Sequence, residues 1–168
     1  MREHSRDRGR LEDIVKYAQN VNIIISGISY EEFTKDIRIY YSVMKNIEVI
    51  GEAANMLTRH FRETHTELPW RQIVSMRNVL VHGYAQISDE DLWQTATNDI
   101  HPLCEQVKRY LSDTDWEEWQ KGEDPYSAMD NAAYKQAVAS ARKMKAKGYA
   151  VQDIEEITGL TAGEIEKL

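Results

Sequence analysis

Residues Met76-Arg77-Asn78-Val79-Leu80-Val81-His82-Gly83-Tyr84 place an arginine, a histidine five positions on and a tyrosine two further in an otherwise apolar run. These are residue types suited to cutting RNA without a metal. A histidine that titrates near neutrality can take the proton of a ribose 2′-hydroxyl and return one to the leaving oxygen. An arginine beside it can grip the phosphate with two parallel N–H donors and stabilise charge building on the phosphoryl oxygens. Each residue also has an ordinary use. A histidine can be satisfied by a carbonyl at a helix end, an arginine can be half of a surface ion pair, and a tyrosine after a glycine can cap a core. Taken as a set at this spacing, they point to a site. Arg77 and His82 are its candidate catalytic pair, and Asn78 is a neighbour that hydrogen-bonds in the cleft or holds the helix end.

The elements that must position this set are helices. Three prolines and eight glycines among plentiful Ala, Ile, Glu and Lys favour an all-α protein. Leu11, Ile14, Val15, Ala18, Val21, Asn22 and Ile25 keep the spacing of one apolar helix stripe, which predicts a first helix ending near Gly27. A second helix is expected from Ser29 or Tyr30 to about Arg62, with Glu31 and Glu32 at its positive end. Its stripe, Phe33, Ile37, Tyr40, Met44, Ile47, Gly51, Ala54, Leu57 and Phe61, reads as a coiled-coil-like seam. Gly51 and Ala54 would let another helix approach closely. Glu52 beside them is the acid that could orient Arg77 or His82, although read alone it is more readily a surface glutamate.

A third helix is predicted over Pro69 to Val81, broken by Gly83, with Trp70, Ile73, Val74, Met76 and Leu80 on its buried side. At 100° per residue, Arg77 and His82 on an unbroken helix point about 140° apart. They converge only if the helix frays at His82 or if they meet across a subunit boundary. A fourth helix starts at Ser88, with Asp91 three residues on, and runs to Leu111 with a kink at Pro102. Four helices with short connections read as a bundle.

The spelling Arg-x4-His-x-Tyr inside RNVLVHGY resembles the signature of the HepT-like toxins, a branch of the all-helical HEPN ribonucleases. Ile50-Gly51-Glu52-Ala53-Ala54 upstream, Asn78 after the arginine and Ser88-Asp89-Glu90-Asp91 downstream add to the resemblance, which covers roughly residues 7–111. It implies a HEPN-like four-helix bundle that pairs as a homodimer, so that two copies of the motif line one cleft. It implies a metal-independent endoribonuclease without a cofactor, acting by transesterification to a 2′,3′-cyclic phosphate or its hydrolysed product. The protein would be the toxin of a type II/VII-like toxin–antitoxin pair. Its partner would be an MNT-type nucleotidyltransferase that attaches AMP to the motif tyrosine, here Tyr84. AMP there would add bulk and negative charge where RNA phosphate must sit.

The formal charge of −7 argues at first against a nucleic-acid partner, but its distribution changes that. Residues 112–168 hold 12 acidic and 7 basic residues, net −5, which leaves −2 for residues 1–111. Segment 59–82 carries Arg59, Arg62, Arg71 and Arg77 against Glu63 and Glu67. The single cysteine, Cys104, fits a reducing compartment. No apolar run is long enough to span a bilayer, and the N-terminal MREHSRDRGR lacks a leader-type apolar region, so a cytoplasmic protein without a membrane partner is expected. His4, His60, His65 and His101 show no zinc-ligand spacing, and neither a phosphate-binding glycine loop nor a serine nucleophile motif is present.

After Leu111 the chain departs from the family pattern. Residues 112–130 read as an acidic linker, and residues 131–168 as a small helical tail: a helix to Gly148, a short helix Val151 to Thr158, and a last helix capped by Thr161. The cadence resembles helix-turn-helix units at the ends of bacterial mobile-element proteins. A DNA-reading helix normally offers basic or amide side chains to base edges, whereas this last helix offers Glu164, Glu166 and only Lys167, so DNA reading is disfavoured against docking or dimerisation. Two other functions fit the same residues. One is a non-catalytic helical module that holds a nucleotidyltransferase, and the other is a DNA-bound regulator working through residues 131–168.

Overall fold

The computed structural model describes residues 6–82, 88–122 and 125–168; for His82 and residues 127–131 it describes the backbone alone. Every regular element among them is helical, as expected of an all-α chain. The chain divides into two compact units, one ending at Gly122 and the other running from Glu123 to Leu168.

In the larger unit, α1 (Asp7–Ile25) packs on α3 (Ile37–Met56) and α7 (Ile100–Asp113), and α3 in turn carries α5 (Trp70–His82). The stripe read from the sequence faces inward on α1, where Leu11, Ile14, Ala18 and Val21 are fully buried. Gly27 takes a left-handed φ of 74° in the turn after α1.

The expected long second helix is instead three. Short α2 (Tyr30–Lys35) opens on a reciprocal capping box between Ser29 and Glu32, and α3 restarts at Asp36, whose carboxylate accepts the Arg38 N–H at 2.9 Å. A third piece, α4 (Arg59–Thr64), is capped by the Thr58 hydroxyl. Both breaks fall at short polar side chains that offer the backbone an alternative to helical bonding. The break at Asp36 resets the helical phase. Ile37, expected on the buried seam, is therefore 67% exposed, while Val43, Ile47, Ile50 and Ala54 carry the core side of α3.

Thr58 is fixed from far away in sequence. The buried carboxylate of Asp7 accepts its N–H at 2.8 Å and its hydroxyl at 2.6 Å, and also pairs with Arg10 at 3.1 Å. These bonds satisfy a charge that burial would otherwise make costly. Nearby, Phe61 anchors an aromatic cluster in which His65 stacks on it at 3.9 Å and Trp70, Tyr110 and Trp119 surround it.

The expected helix from Ser88 onward is α6 (Asp89–Gln94), a π-helical turn over Thr95–Asp99, and α7. Pro102 has no N–H for the carbonyl of Asn98 four residues back, and its ring crowds that carbonyl. The strain is taken up one turn earlier, where the Ile100 N–H reaches back five residues to the Thr95 carbonyl. The acidic stretch after Leu111 also differs from the expected linker. It contains α8 (Trp116–Lys121), capped by Asp115, which packs on the bundle through buried Trp116 and a Trp119 indole N–H 3.4 Å from Asp7. Two tryptophans supply enough apolar surface to hold so short a helix in place.

The smaller unit comprises α9 (Ser127–Ala146), α10 (Val151–Thr158) and α11 (Ala162–Glu166) around Ala141, Ile154, Leu160 and Ile165. Gly148 and Gly159 take the left-handed conformations that end α9 and α10. Thr161 and Glu164 form the capping box of α11, and Lys145 donates to the carbonyls of Ile165 and Glu166 at its other end.

Candidate active site

The motif lies on α5, and the approach of α5 to α3 is set by one missing side chain. A Cβ at Gly51 would stand 2.4 Å from Arg77 Cβ and 3.2 Å from the Ile73 carbonyl oxygen. Real atoms do not approach so closely, so only glycine allows this crossing. The close-approach role expected of Gly51 is met by α5.

The next residue on α3 uses that proximity. Glu52 Oε2 lies 3.0 Å from Arg77 Nε, with the arginine side chain only 16% exposed and the glutamate 34%. Both atoms are enclosed, yet the N–H is not aimed at the oxygen. The contact is therefore a charge pair lacking hydrogen-bond alignment, in surroundings where Coulombic attraction is stronger than in water. Arg77 Nη1 donates to Asn78 Oδ1 at 3.1 Å. Glu52, Arg77 and Asn78 thus stand together, with the guanidinium gripped from one side by a carboxylate and from another by an amide.

The backbone of α5 remains helical through His82. Fraying of the backbone at His82, one of the two devices that would turn Arg77 and His82 toward each other, is not what this helix does. The His82 side chain and Tyr84 lie outside the described residues.

A groove of about 410 Å³ opens beside α5, between Ile73 and Met76 of α5, Ile47 and Ile50 of α3, and Ile100 and Leu103 of α7. Gln72, Asn98 and Asp99 add polar groups to its wall. Ile73 and Met76 in its wall are only partly buried, as is Val74 outside it, whereas Trp70 and Leu80 are enclosed as expected. Val79, next to the motif asparagine, is 43% exposed. Sequence periodicity gave no sign of the groove, because a single kinked helix was expected where the π-helical turn shapes its far wall.

The arginines of segment 59–82 do not all face outward as unpaired cations. Arg59 pairs with Glu63 at 2.6 Å and Arg77 with Glu52, while His60 stacks on Trp119 and His65 on Phe61. Burial pushes the His65 pKa below its ordinary value. Among the described residues no group of three or more His, Cys, Asp or Glu side chains is placed to hold a metal ion, and no helix is long and apolar enough to cross a membrane.

Residues 12–110 match the family model described as ribonuclease HepT-like. The chain is 36% identical over 104 residues to an inferred RNase of Caldanaerobacter subterraneus subsp. tengcongensis, covering 62% of this chain and 93% of that one. It is 34% identical over 98 residues to an inferred RNase of Methanocaldococcus jannaschii, covering 58% and 90%. Over 93 residues it is 33% identical to an inferred ribonuclease HepT of Thermococcus cleftensis, covering 55% and 84%. No solved structure matches.

Proposed function

Because the chain belongs to the HepT-like ribonuclease family, we propose that it cleaves RNA at a site built on Arg77 and His82, without a metal, as the toxin of a toxin–antitoxin pair. The observation that carries this reading is the enclosed Glu52–Arg77 pair at the Gly51 crossing. A guanidinium held against a glutamate in a partly closed place is positioned rather than left to wave in solvent, as phosphate binding requires.

In the proposed reaction His82 takes the proton of the 2′-hydroxyl, the 2′-oxygen attacks the neighbouring phosphorus, and the bond to the 5′-oxygen breaks. The leaving oxygen receives a proton from an imidazolium, and a 2′,3′-cyclic phosphate remains. Arg77 holds the scissile phosphate and offsets charge on its oxygens. Glu52 and Asn78 act through Arg77 as positioning residues.

The site is completed by a second copy. Since α5 stays helical through His82, a cleft with arginine from one subunit and histidine from the other resolves the angular mismatch. The groove beside α5 and exposed Val79 provide apolar surface next to the motif on which the second copy seats. A small nucleotidyltransferase of the MNT type acts as antitoxin by attaching AMP to Tyr84, and the enzyme works in the cytoplasm.

The test is cleavage of a labelled RNA in EDTA by the native protein and by His82→Ala. Loss of cleavage in the variant, with 2′,3′-cyclic phosphate ends from the native protein, supports the reading. Equal cleavage by both removes the mechanism. A neighbouring reading frame encoding a nucleotidyltransferase supports the toxin role.

A further inference from the structure

The smaller unit carries a segregation of charge that the nuclease reading leaves unused. Residues 131–152 contain Lys135, Arg142, Lys143, Lys145 and Lys147 and not one aspartate or glutamate, whereas the acids of this unit fall before residue 131 and after residue 152. The stretch forms most of α9 and the turn that follows it.

Helical geometry sorts these cations. Tyr134, Ala137, Val138, Ala141 and Met144 face the small core. Lys145 lies on the same side and is used up in capping α11. At 100° per residue, Lys135, Ala139, Arg142, Lys143 and Ala146 fall on the opposite face, within about 100° of one another, and all five are exposed. Lys135, Arg142 and Lys143 form no ion pair with any described residue. Lys147, just past the end of α9, lies about 18 Å along the axis from Lys135 but turned about 120° from it around the helix. Just beyond it, the turn at Gly148 presents Tyr149 with half its surface exposed.

We propose that this face of α9, with Tyr149 at its end, is a second contact surface for single-stranded RNA. The proposal rests on the nuclease reading for its choice of polyanion. A helix face bearing three exposed cations among alanines, with no ion pair to any described residue, lets a phosphate backbone lie along it, and an exposed ring beyond its end offers a base a stacking partner. Duplex reading fits less well, because α11 is five residues long and acidic at Glu164 and Glu166. A membrane surface fits less well too, since the exposed stripe carries no large apolar side chain to insert.

The test uses the full chain bearing His82→Ala, so that RNA is retained uncut, and follows fluorescence anisotropy of a labelled single-stranded RNA over a salt series. Adding Lys135→Gln, Arg142→Gln and Lys143→Gln should weaken binding at least tenfold at low salt. It should also reduce the slope of log affinity against log salt by about 2, three phosphate contacts at about 0.7 each. Tyr149→Ala should weaken binding at every salt concentration without changing that slope. Circular dichroism and melting of the variants confirm that the fold is kept. Unchanged affinity and slope in the folded triple variant overturn the proposal, as does a duplex DNA that competes as well as single-stranded RNA. Failure of the nuclease reading shows separately, as equal RNA cleavage by the native chain and His82→Ala.

Discussion

Glu52 and Arg77 meet at 3.0 Å across a helix crossing so tight that the residue before the glutamate has to be glycine. One missing methyl group therefore sets where the motif arginine stands. Several consequences can be measured.

Gly51→Ala tests the crossing. In a loosely packed helix this change would stabilise by about 1 kcal/mol through propensity. Here the new Cβ collides with Arg77 Cβ and the Ile73 carbonyl, neither of which is a flexible side-chain tip. A net loss of about 1–2 kcal/mol is expected from overpacking, together with a drop in RNA cleavage of tenfold or more. Chemical denaturation and cleavage rates read the two effects, and a stabilised variant would show that the crossing has slack.

Glu52→Gln removes charge while keeping shape. Because both partners retain some exposure, the stability change should be no more than about 1 kcal/mol. Cleavage should nevertheless fall, through kcat more than KM, since a guanidinium without its carboxylate still attracts RNA but is no longer held for the transition state. Glu52→Asp should fall between the two. A variant whose kcat matches the native value would leave Glu52 as a stabilising surface contact only.

Thr58→Val examines the joint among α1, α4 and α8. The substitution removes the cap of α4 and the 2.6 Å donor to the buried Asp7 carboxylate. Loss of a cap costs about 1 kcal/mol, and an under-satisfied buried acceptor about 1–3 more. A loss of about 3 kcal/mol in urea unfolding is expected, with cleavage per folded molecule unchanged, because the joint lies away from α5's motif. Cleavage that falls in the folded variant would link the joint to the site.

His65 predicts the pH response of stability. Its folded pKa is lowered by burial, so the unfolded chain takes up a proton more readily than the folded one. Stability is then full above the unfolded value, about 6.5, and is lost as pH falls toward the folded value. Glu67 acts in the same direction at lower pH: its own backbone N–H and the Tyr110 hydroxyl hold its carboxyl below the usual range, so its contribution fades as the pH drops through that range. His65→Gln should flatten the melting-temperature curve between pH 7 and 5. An unchanged slope would assign the dependence to other groups.

Much of this architecture was legible from spacing alone. The α1 stripe, the Ser29 and Ser88 starts, the Thr161 capping box and the two glycine stops in the tail each depend on residues within a few positions of one another, which is the range over which helix chemistry acts. What stayed hidden was long-range. The break at Thr58 is fixed by Asp7, 51 residues earlier, and α8 is held by Trp119 reaching the same carboxylate. Neither leaves a periodic trace. At the site, Gly51, Glu52 and Arg77 were each visible as candidates, with Glu52 expected to orient Arg77 or His82, and the contact among the described residues is the one with Arg77. The groove depended on the π-helical turn, and the proline behind that turn pointed only to a bend.

The widened turn over Thr95–Asp99 also records how readily this region can be re-indexed. It amounts to one surplus residue accommodated in an otherwise regular helical path. Deleting a single residue there would return the path to ordinary pitch while keeping α6 in phase with α7, so that Trp93 stays beside its neighbour Phe33. A one-codon loss would thus be absorbed within the widened turn, whereas the same loss from the regular part of α7 would turn what precedes it by about 100°.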